Sequence, residues 1–183
     1  LSATAPVFMQ KSMKLSTVFH LLVSKYGDQV KASNKVELIQ IFTKATKTSR
    51  ANLVREYRKM LLGLASRDIC YKWPLRDVAA ELADAADAIL QSALNTAIEK
   101  NPELAKQFKL AIIAMGKAGG QELNYVSDVD VIFTAEPSNG VEEQAAISAA
   151  TKIATEVMQY ISVANDGGEI WEVDAALRPE GKA

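Results

Sequence analysis

The stretch GKAGGQELNYVSDVDVIF, residues 116–133, sets Asp128 and Asp130 one residue apart at the mouth of an apolar run. In an extended segment side chains alternate between faces, so both carboxylates point one way while Val129 and Val131 point the other. Two like charges are thereby forced together, and burying either without a partner is costly. Something positive belongs between them. A later stretch, EIWEVDAALRPEG, contributes Asp174, again flanked by apolar residues. If Asp174 lies beside the pair, the three carboxylates make an oxygen cage suited to magnesium, which favours carboxylates, water and substrate phosphate. Two Mg2+ ions roughly 4 Å apart would hold the attacking and leaving oxygens of a phosphoryl transfer.

Gly119-Gly120 lacks the side chains that keep backbone amides away from a ligand, and one helical turn over residues 121–124 would add its positive end there. Phosphate or a triphosphate would rest on that turn, with Lys117 and Arg178 the cations best placed to touch it. Ser127 would orient Asp128 by hydrogen bonding. Glu122 and Asn124 either brace the turn or touch the ligand, and Glu172 shares the face of Asp174 by alternation. The wording is neither a Walker loop, since Lys117 is followed by Ala118, nor the dinucleotide pattern G-x-G-x-x-G.

These groups need a frame. Up to about residue 107 the apolar spacing is helical: Val18, Leu21 and Leu22 make a short face, and Asn34 with Glu37 reads as a capping box opening a helix with Leu38, Ile41 and Phe42. A third helix carries Leu53, Tyr57, Met60, Leu61 and Leu64, and Trp73-Pro74 ends it. The fourth, Leu75 to about Glu99, repeats Val78, Leu82, Ala86, Ile89, Ala93 and Ala97, with alanines that admit a close neighbour. Beyond Pro102 the pattern changes to a strand over 110–115, a turn over 116–120, a strand over 129–134, a helix with Ile147, Ile153, Val157 and Ile161, a turn at Asp166-Gly167-Gly168, and a third strand over 170–177. The expected fold is α/β (α+β): a helical region, 1–107, followed by a small α/β unit, 108–183.

Composition narrows the classes. The chain has 183 residues, 49% hydrophobic and 23% charged, with a formal net charge of -1, as in ordinary globular proteins. Its Lys and Arg are scattered, so no nucleic-acid partner is expected. Cys70, the single cysteine, excludes an internal disulfide and reads as a packed thiol, which fits a reducing cytoplasm. No apolar run approaches the ~20 residues that cross a bilayer, so no membrane partner is expected. His20 reads as a packing or surface residue, Arg50, Arg55, Arg58 and Lys59 as a solvated face, and Arg67-Asp68 as part of a structural ion pair. The chain opens on Leu1 and stops at Lys182-Ala183, which suggests a fragment of something longer.

Gly-Gly, seven residues, Asp-x-Asp among apolar residues and a later Asp in a third strand resemble the nucleotidyltransferase superfamily that includes DNA polymerase beta. The wording MGKAGGQELNYVSDVDVIF and EVDAALRPEGKA, with LVREYRKMLLGLASRDIC and DVAAELADAADAILQSAL upstream, resembles the glutamine synthetase adenylyltransferase family over roughly residues 50–183. The resemblance implies a small mixed sheet flanked by helices as the catalytic core, within a parent of two similar halves. One half transfers AMP from ATP to a tyrosine of glutamine synthetase; the other removes it with phosphate and releases ADP. Residues matching Asp128, Asp130 and Asp174 would bind the metals. ELNYVSDVDVIF and AALRPEGKA look more like the N-terminal, AMP-removing half as found in actinobacteria. The implied partners are glutamine synthetase, phosphate, ADP or ATP and, through the parent, a PII signalling protein. The alternatives are the adenylylating half, or a non-catalytic module that senses nucleotide and docks a partner.

Overall fold

The computed structural model describes residues 32–162 and 170–175. The apolar face at Val18, Leu21 and Leu22, His20, the turn at 166–168 and Arg178 lie outside the described residues. Helix α1, Lys35–Thr48, opens on the expected capping box: the Asn34 side chain accepts from the Glu37 amide at 3.0 Å, and the Glu37 carboxylate accepts from the Asn34 amide at 3.3 Å. Helix α2, Arg50–Tyr71, starts at the Ser49 cap and stops at Lys72, which takes the left-handed conformation with φ 50°. Pro74 then caps helix α3, Leu75–Lys100, its carbonyl accepting from the Asp77 amide at 2.9 Å.

After the short helix α4, Pro102–Ala105, come strand β1, Phe108–Ala114, the short helix α5, Gly116–Gly119, and strand β2, Val129–Pro137. Helix α6, Glu143–Ser162, and strand β3, Val173–Asp174, complete the described chain. The sheet is mixed, in the order β1-β2-β3, with β1 antiparallel and β3 parallel to β2.

Three expectations need correction. The turn of helix ends at the Gly119-Gly120 pair rather than following it, because Gly116 takes φ +52° and lets the chain leave β1 directly into α5. The third strand is two residues long; Ile170 and Trp171, expected within it, are instead buried in the core, where the Trp171 ring lies 4.6 Å from that of Tyr57. Arg50 is no mere solvated side chain: it donates to the carbonyls of Tyr160 at 2.7 Å and Ile161 at 3.2 Å, closing the C-terminal end of α6.

Helix α3 is the centre of the molecule. It is buried at Ala85, Ala86, Ala88, Ile89 and Leu90, positions that cover more than half of its circumference, and it touches α1, α2, α5 and α6; Asp84, Asp87 and Gln91 mark its more open face. The alanines allow that close approach, while Leu82 and Ile89 each contribute about 1.5–3 kcal/mol of burial. One cluster of buried side chains runs from Leu38 and Phe42 of α1 through α3 to Val129 and Val131 of β2 and Ile153 of α6. Arg67 pairs with Glu81 inside this assembly, not with its neighbour Asp68, and its guanidinium sits 4.8 Å from the Trp73 ring.

Candidate active site

Alternation along β2 sorts its side chains as the sequence requires. Val129 and Val131 are 1% and 0% exposed against α6 and the core, while Asp130 points to the opposite, more open face. The parallel register pairs Val129 with Val173 and Asp130 with Asp174, so these two carboxylates stand side by side on one face of the sheet. A hydrogen bond from the Val129 amide to the Glu172 carbonyl, 2.9 Å, fixes that register. On the other flank the Met115 amide donates to the Asp130 carbonyl at 2.9 Å, carrying the β1–β2 ladder one step past Ala114 and Val131. Asp128 precedes the first residue of β2 and is exposed. Glu172, outside β3, is exposed too.

Among the described residues, no three Asp, Glu, His or Cys side chains gather closely enough to hold one metal ion. Asp130 and Asp174 alone are nonetheless a donor set of the kind magnesium uses, since that ion takes one or two carboxylates and completes its shell with water and substrate phosphate. The backbone leaves room for this pair: a Cβ on Gly116 would overlap Oδ2 of Asp130.

The glycine pair is placed differently from the phosphate cradle expected of it. The Gly119 amide donates to the Met115 carbonyl at 2.9 Å and the Gly120 amide to the Gly116 carbonyl at 3.0 Å, so both donors close α5 on itself. Gly119 is needed sterically, because a Cβ there would strike the carbonyl of Ala114. Lys117, within α5, is exposed.

The loop from Gln121 to Asp128 is held at several points. Asn124 Oδ1 accepts from the Val126 amide at 3.1 Å and from the Ser127 hydroxyl at 2.8 Å; Ser127 therefore braces the turn instead of orienting Asp128. The Tyr125 hydroxyl donates to Asp68 of α2 at 3.1 Å, and Gln121 donates to Asp84 of α3 at 3.4 Å. Burial, then the hydrogen bond to Asp68, pushes the Tyr125 hydroxyl up to about 12. Val126, 94% exposed, forms the tip of the loop beside Asp128. Gly116 and the Tyr125–Asp68 tether escaped the sequence reading. The glycine was findable, since pairing Ala114 with Val131 in a hairpin sets Met115 opposite Asp130 and residue 116 next to it, whereas the tether joins positions with no sequence pattern between them.

The family model described as glutamate-ammonia ligase adenylyltransferase matches residues 2–183. Similar curated proteins include the bifunctional glutamine synthetase adenylyltransferase/adenylyl-removing enzymes of Streptomyces avermitilis and Streptomyces coelicolor. The first is 53% identical over 126 residues, 69% of this chain and 13% of that protein. The second is 48% identical over 141 residues, 75% of this chain and 14% of that protein. The Mycobacterium tuberculosis enzyme of the same name is 44% identical over 133 residues, 69% of this chain and 12% of that protein. The chain thus spans about an eighth of the length of these relatives. With the match running from residue 2, and not only from about residue 50, the chain belongs to the glutamate-ammonia ligase adenylyltransferase family.

Proposed function

We propose that the chain carries the nucleotidyltransferase core of the adenylyl-removing half of its parent enzyme, which strips AMP from a tyrosine of glutamine synthetase with phosphate and releases ADP. The observation that carries this reading is the register of Asp130 beside Asp174 on neighbouring strands, next to the exposed Asp128. The likeness of ELNYVSDVDVIF to the first half of such enzymes supports removal over attachment.

A phosphate oxygen attacks the α-phosphorus of adenylyl-tyrosine; the bond to the phenolic oxygen breaks, the phenol recovers a proton and ADP departs. Asp130 and Asp174, with Asp128 beside them, would hold magnesium, which when bound would supply charge neutralisation at the attacking and leaving oxygens. Lys117 and Arg178 contribute positive charge toward the phosphates. The nucleophile belongs to the substrate, so no Ser, Cys or His of this chain need be one. Gly119 and Gly120, whose amides are occupied, act by shaping α5 and not as phosphate donors. The tethers from Tyr125 and Gln121 keep the loop before Asp128 against α2 and α3, so that Asp128 meets the substrate from a fixed direction.

The test uses the parent enzyme, adenylylated glutamine synthetase, phosphate and Mg2+. Release of ADP that stops on Asp130→Asn, with AMP attachment spared, is the expected result. Loss of attachment with release preserved would move the chain to the adenylylating half, and no change in either activity would leave a docking or sensing module.

A further inference from the structure

We propose that Gly116 is a positioning residue for Asp130, and that its missing side chain is the space the Asp130 carboxylate occupies on the β1 flank of its strand. The inference rests on the metal-site reading above for its purpose, but its geometry stands apart from it. Gly116 has φ +52°, a conformation that glycine adopts freely and other residues rarely, and it follows directly on the Met115 amide that is bonded to the Asp130 carbonyl. The two backbones are therefore locked at the point where the side chain of Asp130 leaves its strand. A Cβ built on Gly116 overlaps Oδ2 of Asp130, while its distances of 3.5 Å to Cγ and 3.8 Å to Cβ are ordinary contacts. The conflict is with the carboxylate alone. Relief requires the Asp130 side chain to turn about its own bonds, because the backbone on both flanks is held by the ladder to β1 and by the register with β3.

Gly140 is a natural control. It too has positive φ, +79°, but a Cβ there meets nothing within 4 Å. Alanine at Gly140 reports left-handed strain without collision.

The experiment is a cycle of thermal unfolding on the 183-residue chain: wild type, Gly116→Ala, Asp130→Ala and the double variant. Backbone strain at residue 116 is common to both backgrounds and cancels. Gly140→Ala is expected to lower the melting temperature by about 2–4 °C. Gly116→Ala should cost measurably more than that when Asp130 is present, and fall back toward the Gly140→Ala value when Asp130 is alanine. Equal losses in the two backgrounds overturn the proposal. Should the Gly116→Ala variants not fold, Gly116→Asn repeats the cycle with a residue that tolerates left-handed backbone, and the same criterion decides.

A second measurement, Mn2+ binding followed by electron paramagnetic resonance, separates positioning from structure. Asp130→Ala and Gly116→Ala should each weaken Mn2+ by about tenfold or more, with Gly140→Ala unchanged. Weakening by Asp130→Ala but not by Gly116→Ala overturns the positioning role. Mn2+ affinity indifferent to Asp130→Ala overturns the metal-site reading itself, whatever the unfolding cycle gives.

Discussion

Replacing Asp128 or Asp130 with asparagine keeps the shape of each side chain and deletes its charge. We expect either change to abolish ADP release by the parent enzyme. The melting temperature should hold or rise by no more than about 2–4 °C, because Asp130 is a like-charged neighbour of Asp174 across the strand pair. A sharp fall in melting temperature in both variants would mark a structural role. Tyr125 offers a pH-dependent test of the loop tether. Its hydroxyl is raised from 10.0 to about 12, mainly by burial and then by its hydrogen bond to Asp68, so folding favours the protonated form. The stability this group contributes is complete below about pH 10 and is lost as pH climbs through about 12. Tyr57 and Tyr160 are raised as well, also by burial, so alkaline sensitivity is shared; the difference between wild type and Tyr125→Phe isolates Tyr125. Melting temperature followed against pH should show the wild type losing stability faster than Tyr125→Phe above about pH 10, and parallel curves would discard the tether.

At the scale of elements, the link between α2 and α3 rests on an ion pair whose side chains are 5% and 7% exposed, Arg67 and Glu81. Glu81→Gln strips the charge opposite a buried guanidinium, and we expect a loss of about 3–5 kcal/mol in denaturant unfolding. Asn34→Ala, which removes the capping box of α1, should cost about 1 kcal/mol and so provides a scale for the larger effect. The contrast between these sites also shows what a sequence can disclose. The Asn34–Glu37 box spans four residues and is readable in one line, as are the apolar stripe of α3 and the alternation that buries Val129 and Val131 beneath Asp130. Contacts between distant positions leave no such mark: Arg67 chooses Glu81 over adjacent Asp68, Arg50 reaches the end of α6, and Tyr125 reaches Asp68. The brevity of β3 was hidden for a related reason. The run from Ile170 onward is apolar enough for a strand, but Trp171 spends its surface on Tyr57 in the core, and only Val173 and Asp174 find partners on β2. The start of α5 depends on a positive φ at Gly116, which no periodicity reports.

For the whole molecule, the shared core makes the helical region and the α/β unit one cooperative body. Ile89, fully buried on α3, is a direct probe: Ile89→Ala should cost about 2–5 kcal/mol and lower a single calorimetric transition. Two separate transitions, or limited proteolysis that releases residues 1–107 as a stable piece, would show two independent domains. The central position of α3 also matters while the protein is being made. When Lys100 leaves the ribosome, α3 has α1 and α2 beside it, but the last turn of α6, with the carbonyls that Arg50 will close, is about 60 residues from emerging. At ordinary elongation speeds that interval is roughly 3–12 s, long compared with hydrophobic collapse, so the nascent helical region presents an alanine-rich apolar flank for as long as translation takes to reach Ser162. Slow codons between these points would lengthen the window in which chaperones, or neighbouring nascent chains, find that surface.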